Sequence, residues 1–139
     1  MSDCVFCKIV SGQIPSEVLF ENEQVVTILD INPIHFGHAL VIPRKHFRDF
    51  LEVTPDFFPS ILDAARVVSS ALVEGLHLEG FNLFSNNGVA AGQSVFHFHL
   101  HITPRYENDN IRFVLNLKKY ETGKMKQYAD LIRGCIANY

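Results

Sequence analysis

The chain has 139 residues, of which 47% are hydrophobic and 19% are charged, and its formal net charge is −3. This length fits one domain with a single buried core, and the apolar content excludes a disordered chain. The negative charge argues against bulk electrostatic binding to nucleic acid. The longest segment without acidic or basic residues, 80–104, contains three histidines and several amides, which excludes a membrane span. Without a secretory signal, the default expectation is a cytoplasmic protein.

Charged residues are distributed unevenly along the chain. Residues 1–104 carry 5 basic and 11 acidic side chains, whereas residues 105–139 carry 7 basic and 4 acidic ones. The favoured interpretation of the basic tail is a solvated helix face, and the alternative is a position near a phosphorylated ligand.

Cys4 and Cys7 form a close pair, which in a reducing compartment indicates a metal site or plain burial rather than a disulfide. Cys135 stands alone in the tail and is expected to be buried.

The first half of the chain predicts three strands and one long helix. Apolar patterning favours strands over 17–20, 24–30 and 38–42, the last ended by Pro43. A helix is expected to begin with Thr54 as its N-cap and Pro55 as its first residue, and to reach Gly75. Pro59 makes the true start of that helix ambiguous.

The second half predicts a hairpin and a final helix. Segments 81–85 and 95–103 are expected to pair around the loop 86–94, and a helix follows over about 124–136. Because most strands are neighbours along the chain, we expect an α+β fold. It would comprise an antiparallel sheet of about five strands, one long central helix and a C-terminal helix, with the helices on one face.

Three histidines alternate with apolar residues in the run 95–103. A strand has a period of two, so His97, His99 and His101 would share one face. The opposite, apolar face would comprise Phe96, Phe98, Leu100 and Ile102. Two chemistries fit such a row. Neighbouring imidazoles can ligate a metal, although the outer pair spans roughly 13 Å, too far for all three to hold one ion. Alternatively, the central imidazole is a nucleophile for phosphoryl or nucleotidyl transfer. Spacing alone does not decide between them.

The loop before the histidines has the composition of an anion site. Gly88 and Gly92 allow close approach of backbone N–H groups, and Gln93 and Ser94 follow directly. An ordinary hairpin loop would have a similar composition. Beside three histidines, the loop predicts a phosphate site.

These residues together resemble the histidine-triad (HIT) family. The segment 92–102 is similar to the family signature His-x-His-x-His. Segments 4–10 with Ile14-Pro15, 29–33 and 37–46 match it in the same order. The resemblance spans about residues 4–105 of one expected domain, 1–139, and does not constrain the tail 106–139.

The resemblance implies a homodimer with merged sheets and attack on the α-phosphate of a purine nucleotide through a covalent nucleotidyl-histidine. His99 corresponds to the nucleophile, and His38 lines its pocket. Asp30 corresponds to the carboxylate that accepts hydrogen bonds from ribose. Around the phosphate the resemblance places His101, Gly92, Gln93 and Ser94, and near the base Phe6, Ile9, Ile31 and Asn86.

The cysteine pair acquires two partners from the same resemblance. Cys4 and Cys7 would join His46 and His97 in a Cys₂His₂ zinc site, one per protomer. Such a site has no open position and would be structural.

Several functions remain open at this point. The leading hypothesis is an enzyme that cleaves a nucleoside monophosphate from a leaving group, as a phosphoramidase does. The alternatives are a dinucleoside polyphosphate hydrolase, a zinc-dependent hydrolase and a nucleotide-binding adaptor without significant turnover.

Overall fold

One antiparallel sheet carries the structure, a computed structural model that describes residues 3–139. Its strand order is β1-β2-β3-β5-β4, and each neighbouring pair is antiparallel. The expected α+β fold is confirmed. In chain order the elements are α1 (Val5–Val10), β1 (Val18–Glu21), β2 (Val25–Leu29), β3 (Ala39–Pro43), α2 (Phe58–Leu76), β4 (Gly80–Phe84), β5 (Leu100–Arg105) and α3 (Lys124–Ile136).

Helices cover both faces of the sheet, so the expectation of helices on one face is wrong. The central strands β2 and β3 are apolar at nearly every position and therefore need cover on both sides. Val25 and Val41 face the core under α2, whereas Val26 and Ile42 face a second core with Phe6 of α1. The sequence pattern did not predict α1, because six residues are too few to show a helical period.

The long helix begins later than expected. Thr54 precedes a 3₁₀ turn, Pro55–Phe57, and α2 starts at Phe58 with Pro59 in its first turn. Proline fits that position because the first helical N–H groups have no partner within the helix. The buried stripe of the helix lies against the sheet and comprises Ile61, Ala64, Ala65, Val68, Ser69 and Leu72.

The hairpin of β4 and β5 forms, but its second strand is shorter than expected. β5 pairs with β4 from Arg105 opposite Gly80 to His101 opposite Phe84. The expected strand over 95–99 is absent, because that segment is bonded to the end of β3 and the residues after it. The N–H of Phe98 donates to the carbonyl of Phe47 at 2.6 Å. Consequently the first two histidines of the row lie outside the strand.

The tail leaves the sheet and stays exposed. The predicted helix over 124–136 is confirmed by α3, yet none of its residues is buried. Cys135 is exposed, which corrects the expectation of burial, because α3 packs on neither core. Within residues 3–139, no helix combines the length and apolarity that crossing a membrane requires.

Substitution of Gly37, in the loop before β3, tests whether that position requires glycine, and Gly75 in α2 provides the control. Gly37 has φ +93°, and a Cβ there would lie 2.6 Å from Cδ1 of Leu76. Gly37→Ala should therefore lower the free energy of unfolding by about 1–3 kcal/mol. Gly75→Ala is the control, because a Cβ at that helical position meets nothing within 4 Å. It should raise stability by about 0.5–1 kcal/mol. Urea unfolding measures both, and an equal effect of the two substitutions would contradict the argument.

Candidate active site and metal centre

The three histidines remain close together although two of them precede the strand. His97 and His99 are buried, and His101 is the second residue of β5. The rings of His99 and His101 lie 4.7 Å apart between centroids. The predicted alternation is confirmed from residue 97 onward, since Phe98 and Ile102 face the α2 core. Phe96, by contrast, is exposed, because the chain there is not part of the sheet.

His99 is held with one nitrogen available for chemistry. Its Nδ1–H donates to the backbone carbonyl of His97 at 2.7 Å, so Nε2 carries the lone pair. The edge-on ring of Phe6 lies 4.8 Å from the imidazole. Burial lowers the pKa of His99, which keeps the ring neutral near pH 7. A neutral, oriented imidazole meets the requirements of a nucleophile.

A chain of hydrogen bonds sets the proton positions on His38 and His101. The N–H of Ile34 donates to Nδ1 of His38 at 3.0 Å, so the proton of His38 is on Nε2. Nε2–H then donates to Nδ1 of His101 at 2.9 Å. His101 must therefore carry its own proton on Nε2, where it can donate to a ligand. Phe84 stacks on the His101 ring at 4.6 Å and 10°.

Asp30 lies beside the hydrogen-bonded histidines His38 and His101 but forms no hydrogen bond with them. Its Oδ1 accepts the N–H of Asn32, and its Oδ2 is 3.8 Å from Nδ1 of His38. That distance is too long for a hydrogen bond. Burial lowers the pKa of His38 despite the opposing charge of Asp30, so both rings of the chain are neutral near pH 7. Oδ2 has no hydrogen-bond partner among residues 3–139.

Gln93 supports the loop through its own side chain. Its Oε1 accepts the N–H of Gly88 at 2.8 Å, and its Nε2 donates to the carbonyls of Arg48 and Val95. The buried amide therefore ties the loop to the segment after β3. Ser94, the next residue, is exposed and has its hydroxyl free to turn toward a ligand.

The remaining predicted contacts differ in exposure. Phe6 is buried and Ile9 is half-buried, and both pack in the α1 core. Asn86 is half-buried next to Gly92, where a Cβ would lie 3.9 Å from its Nδ2. Ile31 is 91% exposed, which makes it the apolar residue of this group most available to a base.

Sequence reasoning missed several groups that orient the histidines. The backbone groups at Ile34 and Pro43, which bond to His38 and His97, have no side-chain signature, so no pattern could have revealed them. Phe84 could have been found, because the register of a hairpin places it opposite His101.

Four residues from three distant segments form a second cluster. The ligand atoms of Cys4, Cys7, His46 and His97 all lie within 4.8 Å of one another. The Sγ–Nδ1 distances are 3.4 Å for Cys4–His97, 3.4 Å for Cys7–His46 and 3.6 Å for Cys7–His97. A tetrahedral zinc ion with ordinary bond lengths would separate sulfur from nitrogen by about 3.6 Å.

The protonation states in this cluster are also compatible with a bound cation. His97 Nε2–H donates to the carbonyl of Pro43 at 2.8 Å, which leaves Nδ1 unprotonated toward the sulfurs. Burial lowers the pKa of His97 to about 4, and burial together with the adjacent Cys4 raises the pKa of the Cys7 thiol. A bound cation would lower the pKa of the Cys7 thiol again, because it stabilises the thiolate. The four residues therefore form a cluster that could hold a metal ion, adjacent to His99.

Comparison with known proteins places this geometry in a family. The HIT domain profile matches residues 11–108. The adenylylsulfatase HINT3 of Arabidopsis thaliana is 36% identical over 138 residues, 99% of this chain and 70% of that protein. The adenosine 5'-monophosphoramidase HNT1 of Candida albicans is 36% identical over 111 residues, 75% of this chain and 71% of that protein.

Solved structures agree with this placement. SMU.412c from Streptococcus mutans has a TM-score of 0.92 at 37% identity, covering 98% of this chain and 87% of its own. A Zn-bound histidine triad family protein from Mycobacterium smegmatis has a TM-score of 0.76 at 38% identity, covering 96% and 98%.

The buried hydrogen-bond chain predicts the titration of one histidine. Burial and the neighbouring imidazoles lower the pKa of His101 to about 4, against about 6.5 for an unperturbed histidine. Because the folded pKa is depressed, His101 contributes stability above pH 6.5 that is lost as the pH falls toward 4. NMR of the imidazole C–H groups, with His101→Asn for assignment, should show a midpoint near pH 4. A midpoint near 6.5 would contradict a buried, neutral ring.

Proposed function

This chain belongs to the HIT family, and from that membership we propose that it hydrolyses nucleotide conjugates by transferring a nucleoside monophosphate to His99. The observation that carries the proposal is the orientation of this buried imidazole, whose Nδ1–H is bonded to the His97 carbonyl. The His99 ring lies 4.7 Å from the His101 ring between centroids, and Asp30 is close enough for its charge to act on both. A nucleophile, a phosphate-side donor and a carboxylate for ribose are thus available together.

In the first step, Nε2 of His99 attacks the α-phosphorus. The P–N bond forms as the bond from phosphorus to the leaving atom breaks, and the leaving group keeps the bonding electron pair. The positive charge that develops on the imidazole is stabilised by the His97 carbonyl, which accepts from Nδ1–H. His101 Nε2–H donates to a phosphoryl oxygen. The leaving atom takes up a proton from a water molecule that the exposed Ser94 hydroxyl can orient, and the hydroxide left behind is neutralised by the proton released in the second step.

In the second step, water attacks the phosphorus of the nucleotidyl-histidine. The P–N bond breaks, and its electron pair returns to Nε2. One proton of the water goes to solvent, and the products are a nucleoside monophosphate and neutral His99. The neutral state of the ring before attack is ensured by burial, which lowers its pKa.

The class of leaving group follows from the two named relatives. One is named for cleavage of an adenylyl sulfate and the other for cleavage of an adenosine monophosphoramidate. We therefore propose a purine nucleoside monophosphate joined to an amine or oxyanion as the substrate. Asp30 Oδ2 would bind the ribose hydroxyls, and Ile31, Ile9 and Phe6 would line the base site, with Asn86 and Gly92 at the polar side. Gln93 contributes by holding the loop.

The metal cluster would hold one structural zinc per protomer. Two thiolates and two imidazoles fill a tetrahedral site, so the bound ion would supply charge and cross-linking and leave no position for substrate. The Zn-bound relative supports this assignment of the metal. We also propose a cytoplasmic location, because cysteines kept reduced for metal binding fit a reducing compartment.

A homodimer through β4 completes the proposal. β4 is an edge strand, and its side chains Phe81 and Leu83 are exposed together with Leu62 and Val73 of α2. An apolar edge of this kind pairs readily with a second copy. Antiparallel pairing of two β4 strands would merge the sheets and cover these residues.

Substitution of His99 tests the nucleophile. His99→Asn should lower turnover of an adenosine phosphoramidate by at least about 10³-fold, because no other group forms the covalent intermediate. Nucleotide binding should be largely retained. Mass spectrometry of wild type trapped with a slow substrate should map a nucleoside monophosphate to His99.

The matched control is His77→Asn. His77 caps α2 at φ 52°, a conformation that asparagine tolerates, and it lies outside the site. It should keep normal turnover. Near-normal activity of His99→Asn, or an adduct on another residue, would contradict the mechanism.

Removal of the thiols tests whether the metal is needed for catalysis or only for stability. The double variant Cys4→Ser/Cys7→Ser should lose the zinc, about one ion per chain by elemental analysis, and should unfold at a lower Tm. Assayed where it is folded, it should retain measurable turnover, since His99 is not a ligand. Cys135→Ser, at an exposed position, should keep both metal and Tm. A folded, metal-free double variant with no activity, restored by adding zinc, would show that the ion participates in catalysis.

A further inference from the structure

The imidazole of His101 lies face to face with the ring of Phe84. The ring centroids are 4.6 Å apart, and the two planes differ by only 10°. The other rings that contact His101 meet it at an angle, His38 at 44° and His99 at 62°. Within residues 3–139, Phe84 is therefore the one ring that lies parallel to this imidazole, and the stack defines the plane that contains the nitrogens of His101.

The sheet itself builds this stack. Phe84 and His101 are directly opposite each other at the end of the β4–β5 ladder, so their side chains project from the same face. On its other side, His101 pairs with Leu40 of β3, which has no ring. Because both stacked residues belong to paired strands, their relative position is set by the backbone hydrogen bonds of the sheet and not by a loop.

A single hydrogen bond does not fix the direction in which His101 donates. Nδ1 of His101 accepts from Nε2–H of His38 at 2.9 Å, which holds one atom of the ring. The imidazole is still able to turn about the line of that bond, and its Nε2–H turns with it. Stacking removes this freedom, because aromatic rings pack best in an offset parallel or an edge-on arrangement. The bond and the stack together give Nε2–H of His101 one direction.

The stack also suits the charge that His101 carries during the reaction. When Nε2–H donates to a phosphoryl oxygen that gains negative charge, the imidazole becomes more positive. The face of a benzene ring is the negative part of its quadrupole, and it attracts a cation within about 6 Å of its centre. At 4.6 Å, the face of Phe84 stabilises the polarised imidazole, which an aliphatic side chain at this position would not do.

We propose that Phe84 is a positioning residue for the reaction: it holds the plane of His101 so that Nε2–H stays directed at the phosphoryl oxygen while the P–N bond to His99 forms. The inference deepens the function proposed above and rests on it for its effect on turnover. Phe84 acts only through His101 and takes no part in proton or phosphoryl transfer. Its effect on the ring is present without substrate and is measurable independently of catalysis.

The kinetic test replaces the ring of Phe84 with an aliphatic side chain. Phe84→Leu should lower kcat for an adenosine phosphoramidate about 10–100-fold with KM within about twofold, because a misdirected donor matters most as charge develops on the phosphoryl oxygen. The fall should be equal for an adenylyl sulfate, since the phosphoryl oxygen is common to both substrates whereas the leaving atom differs. Phe84→Tyr keeps the stack and should restore kcat to within about threefold of wild type.

The matched control is Phe20→Leu. Phe20, like Phe84, is a half-buried phenylalanine on an edge strand, but it lies on β1 at the opposite edge of the sheet and packs on the α2 core. Its replacement should lower Tm and leave kcat unchanged. If Phe20→Leu and Phe84→Leu lowered kcat equally at a matched loss of Tm, the effect of Phe84 would be one of stability, and the positioning role would be wrong.

Nitrogen-15 NMR of the folded, metal-loaded protein at about pH 7 measures the ring directly. In wild type and in Phe84→Tyr, His101 should give one protonated and one unprotonated ring nitrogen, assigned with His101→Asn. In Phe84→Leu the two signals should converge, because a ring that turns breaks its bond to His38 and exchanges between tautomers. Phe84→Met, which also lacks a ring, provides the same comparison if Phe84→Leu does not fold.

Unchanged nitrogen signals in Phe84→Leu, or an unchanged kcat, would overturn the positioning role. Absence of a His99 adduct in wild type would instead overturn the proposed hydrolysis. In that case the nitrogen signals would still decide whether Phe84 holds the ring of His101.

Discussion

The geometry of the histidine site and that of the metal cluster both depend on three interactions of His97. Its Nε2–H donates to Pro43, its Nδ1 faces the two sulfurs, and its backbone carbonyl accepts from Nδ1–H of His99. One buried residue thus joins the end of β3, the metal cluster and the imidazole of His99. Because the carbonyl and the ring belong to the same residue, a shift of the metal cluster would change the orientation of His99 directly.

The second constraint is that the site is kept neutral by burial. His38 and His101 are bonded to each other in an order set by the N–H of Ile34, and burial lowers the pKa of each ring. A row of cations would bind phosphate strongly in the ground state but would leave no lone pair for attack. Neutral rings with assigned protons provide donors and a nucleophile at the same pH.

The loop before the histidines is stabilised from outside the sheet. Gln93 bonds to Arg48, and Asn87 bonds to Phe50, so the stretch after β3 carries both His46 and the supports of the loop. The metal cluster and the loop are therefore held by one segment, 44–50.

The sequence determined what is local in this protein. The sequence alone predicts four such features: the alternation of histidines, the Cys-x-x-Cys pair, the apolar runs of β2 and β3, and the span of α3. Each is a pattern along one short stretch of chain. The family signature around His99 belongs to the same class, since it is one short segment.

Only the tertiary structure decided how these segments meet. The strand shortens to Leu100 because Phe98 bonds to Phe47, a residue 51 positions away. Gln93 turns inward because Arg48 offers a carbonyl, and α1 covers the second face because β2 and β3 are apolar on both sides. Backbone donors and acceptors carry no residue-specific signature, so hydrogen bonds between distant segments leave no trace in a one-dimensional pattern. For the same reason, the exposure of the tail became visible only when the chain was folded.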